Sequence, residues 1–501
     1  MSRKGSMELN RDSLNKEVAA FRKSFGEELV ANAEKSVLLE RKGEVAVIRF
    51  DQANEKANKL STLNMLRFFE LLTKVEDDKG ARALVVISSK PTIFIAGADI
   101  SEIQRFTKGE ATVDSLMKLQ AVFTYLEHLP IPTIAAIHGA CMGGGTELAL
   151  ACDYRMATDA PETKIALPEV MLGIIPGWGG TQRMPRLIGL QKSLDLILTG
   201  KSVDAKKAKK MGLVDKVAPK EWLEDKALDW AAELGKGRKK IHDKTLTTLQ
   251  EKVLETVPGG KWVIFDQARK TVMDKTKGNY PAPLAAIDVI QKTYGGSIEK
   301  GLQVEAEAFA KLVQTPECKA LIGVFFLNER VKRDKGVDSP VAALDIKRAG
   351  VIGAGVMGGG IAQLFAAKDV RVRMKDIQWD SIAKGYQAAY RVFKKMVDRR
   401  KMKPSDCENA MERIEGTLTY SGFTTLDIVV EAAVENMELK KKIFKELDAA
   451  TGPKCILATN TSSLSVTELG TACKDPGRVV GMHFFNPVDK MPLVEVIRGS
   501  K

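Results

Sequence analysis

Residues 349–376 read AGVIGAGVMGGGIAQLFAAKDVRVRMKD, and their reading decides the fold of the carboxyl-terminal part of the chain. Gly353, Gly355 and Gly358 stand in the order G-x-G-x-x-G. That order alone is a weak signal. Here it follows an apolar strand, opens a helix, and leads through a β-rich strand to Asp376. This is the context dinucleotide binding requires: a tight turn, a pyrophosphate at the helix amino end, and a carboxylate for the adenine ribose hydroxyls. Asp376 would repel a 2′-phosphate, which favours NAD over NADP, although Arg373 and Lys375 soften the preference. The same apolar run is marginal in length for a membrane span, and its glycines and Gln363 suit a strand-turn-helix better.

Downstream, DIVVEAAVEN, CILATNTSS and VVGMHFFNP read as further strands ending in polar residues. In a doubly wound sheet the carboxyl ends of the strands line the ligand crevice. Capped loops would give the same pattern. His483 stands at one such end, and Glu495 returns after the turn NPVDKMP. A hydroxyl oxidised by hydride transfer must also lose a proton, and an imidazole titrates in the useful range. His128, His138 and His242 lack a comparable setting and read as structural or surface residues.

Towards the amino terminus a second constellation occurs. IHGACMGGGTELALACDY places Gly143, Gly144 and Gly145 between a strand and a helix, where backbone N–H groups can reach a ligand oxygen. No Lys-Ser/Thr follows, which excludes a Walker-type phosphate loop. FIAGADI (94–100) is a second glycine-containing loop after a strand. Two such loops could supply two donors to one carbonyl oxygen. Glu147 and Glu169 are two acids near these turns, suited to proton transfer at the α and β carbons of a polarised carbonyl compound. Glu147 could equally be a simple charge at a helix start, and spacing alone does not show that the two converge.

The whole chain has 501 residues, 44% of them apolar and 28% charged, which suits a soluble globular protein of about three domains. Residues 1–35 read as a polar amino-terminal extension without the apolar core of a signal peptide. Strand and helix signals alternate over 36–220, helical patterning dominates 221–345, and a second α/β region occupies 346–501. Six scattered cysteines without metal spacing read as reduced and buried, and no metal site is expected. The net charge of +13 favours anionic partners. The basic clusters at 206–210, 238–240, 399–403 and 440–442 read as solvated helix faces; no nucleic-acid motif accompanies them and no integral membrane segment is expected.

FIAGADI, IHGACMGGGTELALACDY, LPEVMLGIIPGWGGTQRMPRLIG and LTGKSVDAKKAKKMGLVDKV together resemble the enoyl-CoA hydratase/isomerase (crotonase) family. The resemblance implies a crotonase fold of ββα repeats and acyl-CoA thioester substrates, with coenzyme A as carrier. It implies that the N–H groups of Ala96 and Gly144 hold the thioester oxygen while Glu147 and Glu169 flank a catalytic water. The loop DAPETKIALPE departs from simple hydratases by a couple of residues. VEAAVENMELKKKIF, ATNTSSLS and HFFNPVDKMPLVEVIRG resemble the L-3-hydroxyacyl-CoA dehydrogenases, which have a Rossmann-type doubly wound NAD-binding domain. This second resemblance implies His483 as base, Glu495 as its partner and Ser462 as a contact to substrate or nicotinamide. It also places Met357, Asp376, Val434, Glu435, Lys440 and Asn486 at the NAD site or its margin.

The order crotonase, helical linker, dehydrogenase resembles the α-subunit family of fatty-acid β-oxidation complexes. That implies hydration followed by NAD-dependent oxidation, a thiolase β-subunit as partner, and a bacterial-type cytoplasmic location rather than the mitochondrial matrix. The family continues beyond the last residue here with a helical domain, so the expectation is a truncated or split chain with impaired dehydrogenase activity. An isomerase or epimerase on the same glutamates is the alternative, and a non-catalytic thiolase-binding scaffold is another.

Overall fold

A computed structural model describes residues 11, 16, 19, 27–106, 113–237, 255–334, 336–337 and 341–500. Most of the amino-terminal extension, the basic cluster at 238–240 and His242 lie outside the described residues. The chain divides into two compact units, Met1–Lys335 and Gly336–Lys501.

In the first unit, β1 (Val37–Lys42) and β2 (Val45–Phe50) form an antiparallel pair at the edge of a six-stranded sheet. After α1 (Thr62–Asp77) come β3 (Ala83–Ser88) and β4 (Ile93–Ile95). Helix α2 (Val113–His128) precedes β5 (Thr133–Ile137) and β6 (Ala140–Met142). Helix α3 (Gly144–Ala151), β7 (Tyr154–Thr158) and β8 (Lys164–Ala166) follow, then a 3₁₀ turn at Glu169–Leu172. Next are α4 (Gly180–Ile188), α5 (Leu190–Thr199), β9 (Val203–Asp204) and β10 (Lys216–Ala218). The large sheet runs β1-β2-β3-β5-β7-β10, and β4-β6-β8-β9 form a small one. Strands β5 and β7 are buried at every position, as parallel strands covered on both faces must be.

Helix α6 (Leu223–Gly235) covers one face of the large sheet, where Leu223, Ala227 and Trp230 meet Val85, Ile134 and Tyr154. The helices α7 (Gly260–Thr276), α8 (Pro281–Thr293), α9 (Ile298–Leu312) and α10 (Pro316–Arg333) fall in the stretch expected as a linker. They add Phe265, Ile287, Ile290, Phe309 and Ile322 to the same core that holds Ile48, Phe94 and Leu148. Burying each such side chain contributes about 1.5–3 kcal/mol, so these helices are part of the first unit and not a spacer. Caps fix their starts: Ser297 accepts from Lys300 N, and Thr315 accepts from Cys318 N ahead of Pro316.

The second unit opens with β11 (Arg348–Ile352), α11 (Val356–Ala366) and β12 (Arg371–Lys375). It continues through α12 (Trp379–Asp398), β13 (Ile414–Thr417), β14 (Ile428–Glu431), α13 (Met437–Ala450) and β15 (Ile456–Thr459) to β16 (Val479–Phe484) and β17 (Val494–Arg498). The strand order β13-β12-β11-β14-β15-β16-β17 reverses direction at β11, and only β17 is antiparallel. This is the doubly wound order whose ligand crevice lies at the switch point. Register aligns Ile352 with Lys375 and Glu431, Glu431 with Thr459, and Thr459 with Gly481. The polar strand ends therefore share one edge of the sheet.

All six cysteines are free and buried. No cluster of metal-ligating side chains occurs among the described residues, and no described helix is long and apolar enough to cross a membrane.

Candidate active sites

In the first unit β6 delivers the chain into Gly143, whose φ of 53° turns it into α3. A Cβ on Gly144 would lie 2.4 Å from the Trp178 ring, so only glycine fits there. Glu147, one helical turn on, is 2% exposed. Its Oε1 accepts from Trp178 N and Gly180 N, both at 2.8 Å. Burial pushes its carboxyl up to about 7, against the pull of those two N–H donors and the charge of Arg183.

Glu169 begins the 3₁₀ turn and is 9% exposed. Neither of its carboxyl oxygens has a hydrogen-bond partner among the described residues. Burial, then the Glu147 charge, then that of Glu305 raise it well above the carboxylate range. A Cβ on Gly143 would lie 3.1 Å from Glu169 Oε1, which puts this carboxyl against the glycine turn. The two acids thus differ in kind: Glu147 is held by two donors from another segment that favour its anion, whereas Glu169 has only its own backbone N–H against burial and two neighbouring acids.

The loop 94–100 lies against Gly143 and Gly144, since a Cβ on Gly97 would come within 3.8 Å of Gly144 N. Ala96 does not keep the expected free donor. Its N–H bonds Asn58 O at 2.8 Å, because the chain here runs beside 58–60 like a short strand. Leu60 N donates to Gly97 O and Asp99 N donates to Leu60 O, so the Ala98 N–H between them faces the opposite way. The N–H groups of Ala98 and Gly144 meet no acceptor among the described residues. The motif FIAGADI marked the loop, but the donor within it depends on which side of a strand each amide faces.

In the second unit a Cβ on Gly358 would fall 1.7 Å from Gly353 O, the close approach that the third glycine of the motif serves. Gly355 is the N-cap of α11 and leaves its first N–H groups at the crevice. Asp376 follows β12 and accepts from Ala354 N at 2.7 Å through Oδ2 and from Ile377 N through Oδ1. These residues fit a dinucleotide. Arg373 is held by Glu415 and Ser421 O, and the Lys375 ammonium sits 4.4 Å over the Tyr420 ring. Both cations near Asp376 are therefore engaged elsewhere.

His483 and Glu495 are cross-strand neighbours on β16 and β17, and His483 Nδ1 lies 2.7 Å from Glu495 Oε2. The ring keeps Nε2 for another partner. Asn460, at the end of β15, accepts from Phe484 N at 2.8 Å and ties the adjacent strand end to His483. Glu435 Oε1 accepts from Thr461 Oγ1 and from Ser462 N. Ser462, Val434, Glu435 and Asn486 are exposed, while Met357 is half-buried. Lys440 is placed differently from expectation. It is 1% exposed, and its Nζ lies 2.7 and 2.8 Å from the two oxygens of Glu431, itself fully buried. Only a 3.4 Å approach to Glu435 links it to the exposed edge. A solvated helix face does not describe it, because α13 turns this side chain into the core.

Comparison with known proteins matches residues 40–259 to the family described as enoyl-CoA hydratase/isomerase. Residues 348–501 match the family described as 3-hydroxyacyl-CoA dehydrogenase, NAD binding domain. The chain fuses a hydratase/isomerase domain to a dehydrogenase domain. Its curated relatives include fatty acid oxidation complex subunit alpha of Shewanella amazonensis, 42% identical over 470 residues, or 93% of this chain and 66% of that protein. The protein of the same name from Vibrio parahaemolyticus is 40% identical over 454 residues, covering 90% of this chain and 64% of that one. The chain thus spans slightly less than two thirds of the length of these relatives. In the first unit, beyond the residues matched to the hydratase/isomerase family, Glu305 also reaches the carboxyl pair, although it stands 158 positions from Glu147 and no local motif marks it.

Proposed function

We propose that the hydratase/isomerase domain adds water to a trans-2-enoyl-CoA and that the dehydrogenase domain oxidises the resulting L-3-hydroxyacyl-CoA with NAD. The observation that carries the first half is the pair of unlike buried carboxyls beside two amides without an acceptor. Glu147, favoured as its anion by two N–H donors, takes a proton from water as the oxygen bonds the β carbon. The electron pair of the double bond moves onto the thioester oxygen, where the N–H groups of Ala98 and Gly144 neutralise it. Glu169, which retains its proton, passes it to the α carbon as the thioester re-forms.

In the dehydrogenase domain, bound NAD supplies the hydride acceptor. His483 Nε2 takes the hydroxyl proton, and Glu495 on Nδ1 orients the ring and stabilises its charged form. Asp376 would accept from the ribose hydroxyls of NAD, and the engagement of Arg373 and Lys375 elsewhere supports NAD over its 2′-phosphorylated form. The relatives are named as the alpha subunit of a complex, which supports a partner subunit; we take it to be a thiolase, acting with this chain in the cytoplasm.

The test gives the purified chain a trans-2-enoyl-CoA, with and without NAD, and follows loss of the conjugated double bond and formation of NADH. Double-bond loss that disappears in both Glu147→Gln and Glu169→Gln supports the hydratase reading. Turnover that is unchanged in both variants would overturn it. NADH formation that His483→Gln removes supports the second half, and NADH formation indifferent to that change overturns it.

A further inference from the structure

Four successive backbone amides, Trp178 to Thr181, lie between two carboxylates and alternate between them. Trp178 N and Gly180 N donate to Glu147 Oε1, both at 2.8 Å. Gly179 N donates to Glu305 Oε1 at 2.6 Å, and Thr181 N to Glu305 Oε2 at 3.0 Å. Glu305 comes from α9, has no exposed surface, and also accepts from Thr181 Oγ1 at 2.5 Å and Gln120 Nε2 at 3.1 Å. The same face of α9 closes on this segment through neighbours a turn away. A Cβ on Gly177 would lie 2.8 Å from the Phe309 ring, and one on Gly301 would lie 2.1 Å from Gln182.

A carboxylate buried without a cation bonded to it is costly, and a short apolar residue would fill the same place without that penalty. The four donors that Glu305 accepts from are a specific arrangement, and three of them belong to the segment that orients Glu147. We propose that Glu305 is a positioning residue for the hydration reaction: it holds the Trp178–Thr181 segment so that the intervening amides aim the Glu147 carboxylate. This rests on the hydratase reading given above.

The surrounding charges are few. Helix α3 contributes Glu147 and the 3₁₀ turn Glu169. Helix α4 contributes Arg183, which bonds Trp178 O and pairs with Glu127 of α2, and Arg186, which bonds Gln182 O, Thr293 O and Gly296 O. On α8, Asp288 pairs with Arg269 of α7 and Lys292 is exposed. Arg183 is therefore the one cation near the carboxyl trio among the described residues. Burial and the Glu147 charge raise the Glu305 carboxyl to about 8, and Glu305 in turn raises Glu169.

Glu305→Gln keeps the shape, removes the charge and loses part of the donor set. The expected result is a kcat lower by roughly 10- to 100-fold at nearly constant KM, since a misaimed catalytic group costs about that much. The basic limb of the pH profile of kcat/KM, set by Glu169, should also move to lower pH, because Glu169 loses the Glu305 charge, whereas the acidic limb set by Glu147 should stay in place. Glu307→Gln removes the same charge from the same helix away from the segment and should leave the profile in place. Infrared spectroscopy of the substrate-free protein, reading the protonated-carboxyl band assigned with Glu169→Gln, gives a readout independent of turnover. That band should titrate at lower pH in Glu305→Gln. A folded Glu305→Gln protein with kcat, profile and band all unmoved overturns the inference, as does a lower kcat with neither the profile nor the band displaced. If the wild-type chain hydrates nothing, the hydratase reading falls, and the infrared titration alone then decides whether Glu305 sets the charge of Glu169.

Discussion

Replacing Lys440 with methionine separates two roles that the sequence leaves joined. In the structure the ammonium lies between both oxygens of Glu431, which also accept from Thr459 Oγ1 at 2.7 Å and Ala433 N at 2.6 Å. Methionine fills the aliphatic path of the lysine but leaves the Glu431 carboxylate buried with only neutral donors. Breaking a buried pair from one side costs about 3–5 kcal/mol. A folding unit of roughly 170 residues shifts by about 2–4 °C per kcal/mol, so its transition should fall by roughly 6–20 °C. Calorimetry of the whole chain reads this, and added NAD identifies the relevant transition because a ligand raises the melting temperature of the unit that binds it. The double variant Lys440→Met/Glu431→Leu should recover most of the loss, as apolar replacements of buried pairs often do. A shift below about 2 °C, with NAD affinity nonetheless lost, would refute this reasoning and make Lys440 a cofactor contact.

Gly144→Ala places a methyl group on the Trp178 ring and displaces the N–H proposed to hold the thioester oxygen, so hydration should fall by roughly 10²–10³-fold in an assay of double-bond loss. Glu495→Gln should lower NADH formation by roughly 10²-fold or more while leaving NAD affinity, read by fluorescence titration, within about twofold. The stability of the first unit should depend on pH through its raised carboxyls. Glu147 and Glu305 rise from 4.5 to about 7 and about 8, so the folded state binds protons that the unfolded chain has already released. Their contribution is whole below about 4.5 and is lost as pH rises through 7 to 8. The melting temperature of that unit should therefore drop between pH 5 and 8, and Glu305→Gln should flatten the drop.

The sequence by itself marked both candidate sites wherever the pattern is local. The glycines at 143–145 and 353–358, the spacing to Glu147 and Asp376, and the histidine at a strand end need only a few consecutive residues to be recognisable. The pairing of His483 with Glu495 was legible too, because a tight turn between two strands brings cross-strand partners together. Tertiary structure alone decided three things. Ala98 and not Ala96 presents a free amide, since that depends on which way a strand beside 58–60 turns each N–H. Lys440 is a core residue, because a lysine-rich helix face has the same sequence whether it meets water or a buried carboxylate. The helices of 260–333 belong to the first unit, and one of them carries Glu305 to the site. An apolar stripe announces that a helix will be buried, but not against what. Only the packed core brings a carboxylate from α9 within hydrogen-bond reach of the amides that hold Glu147.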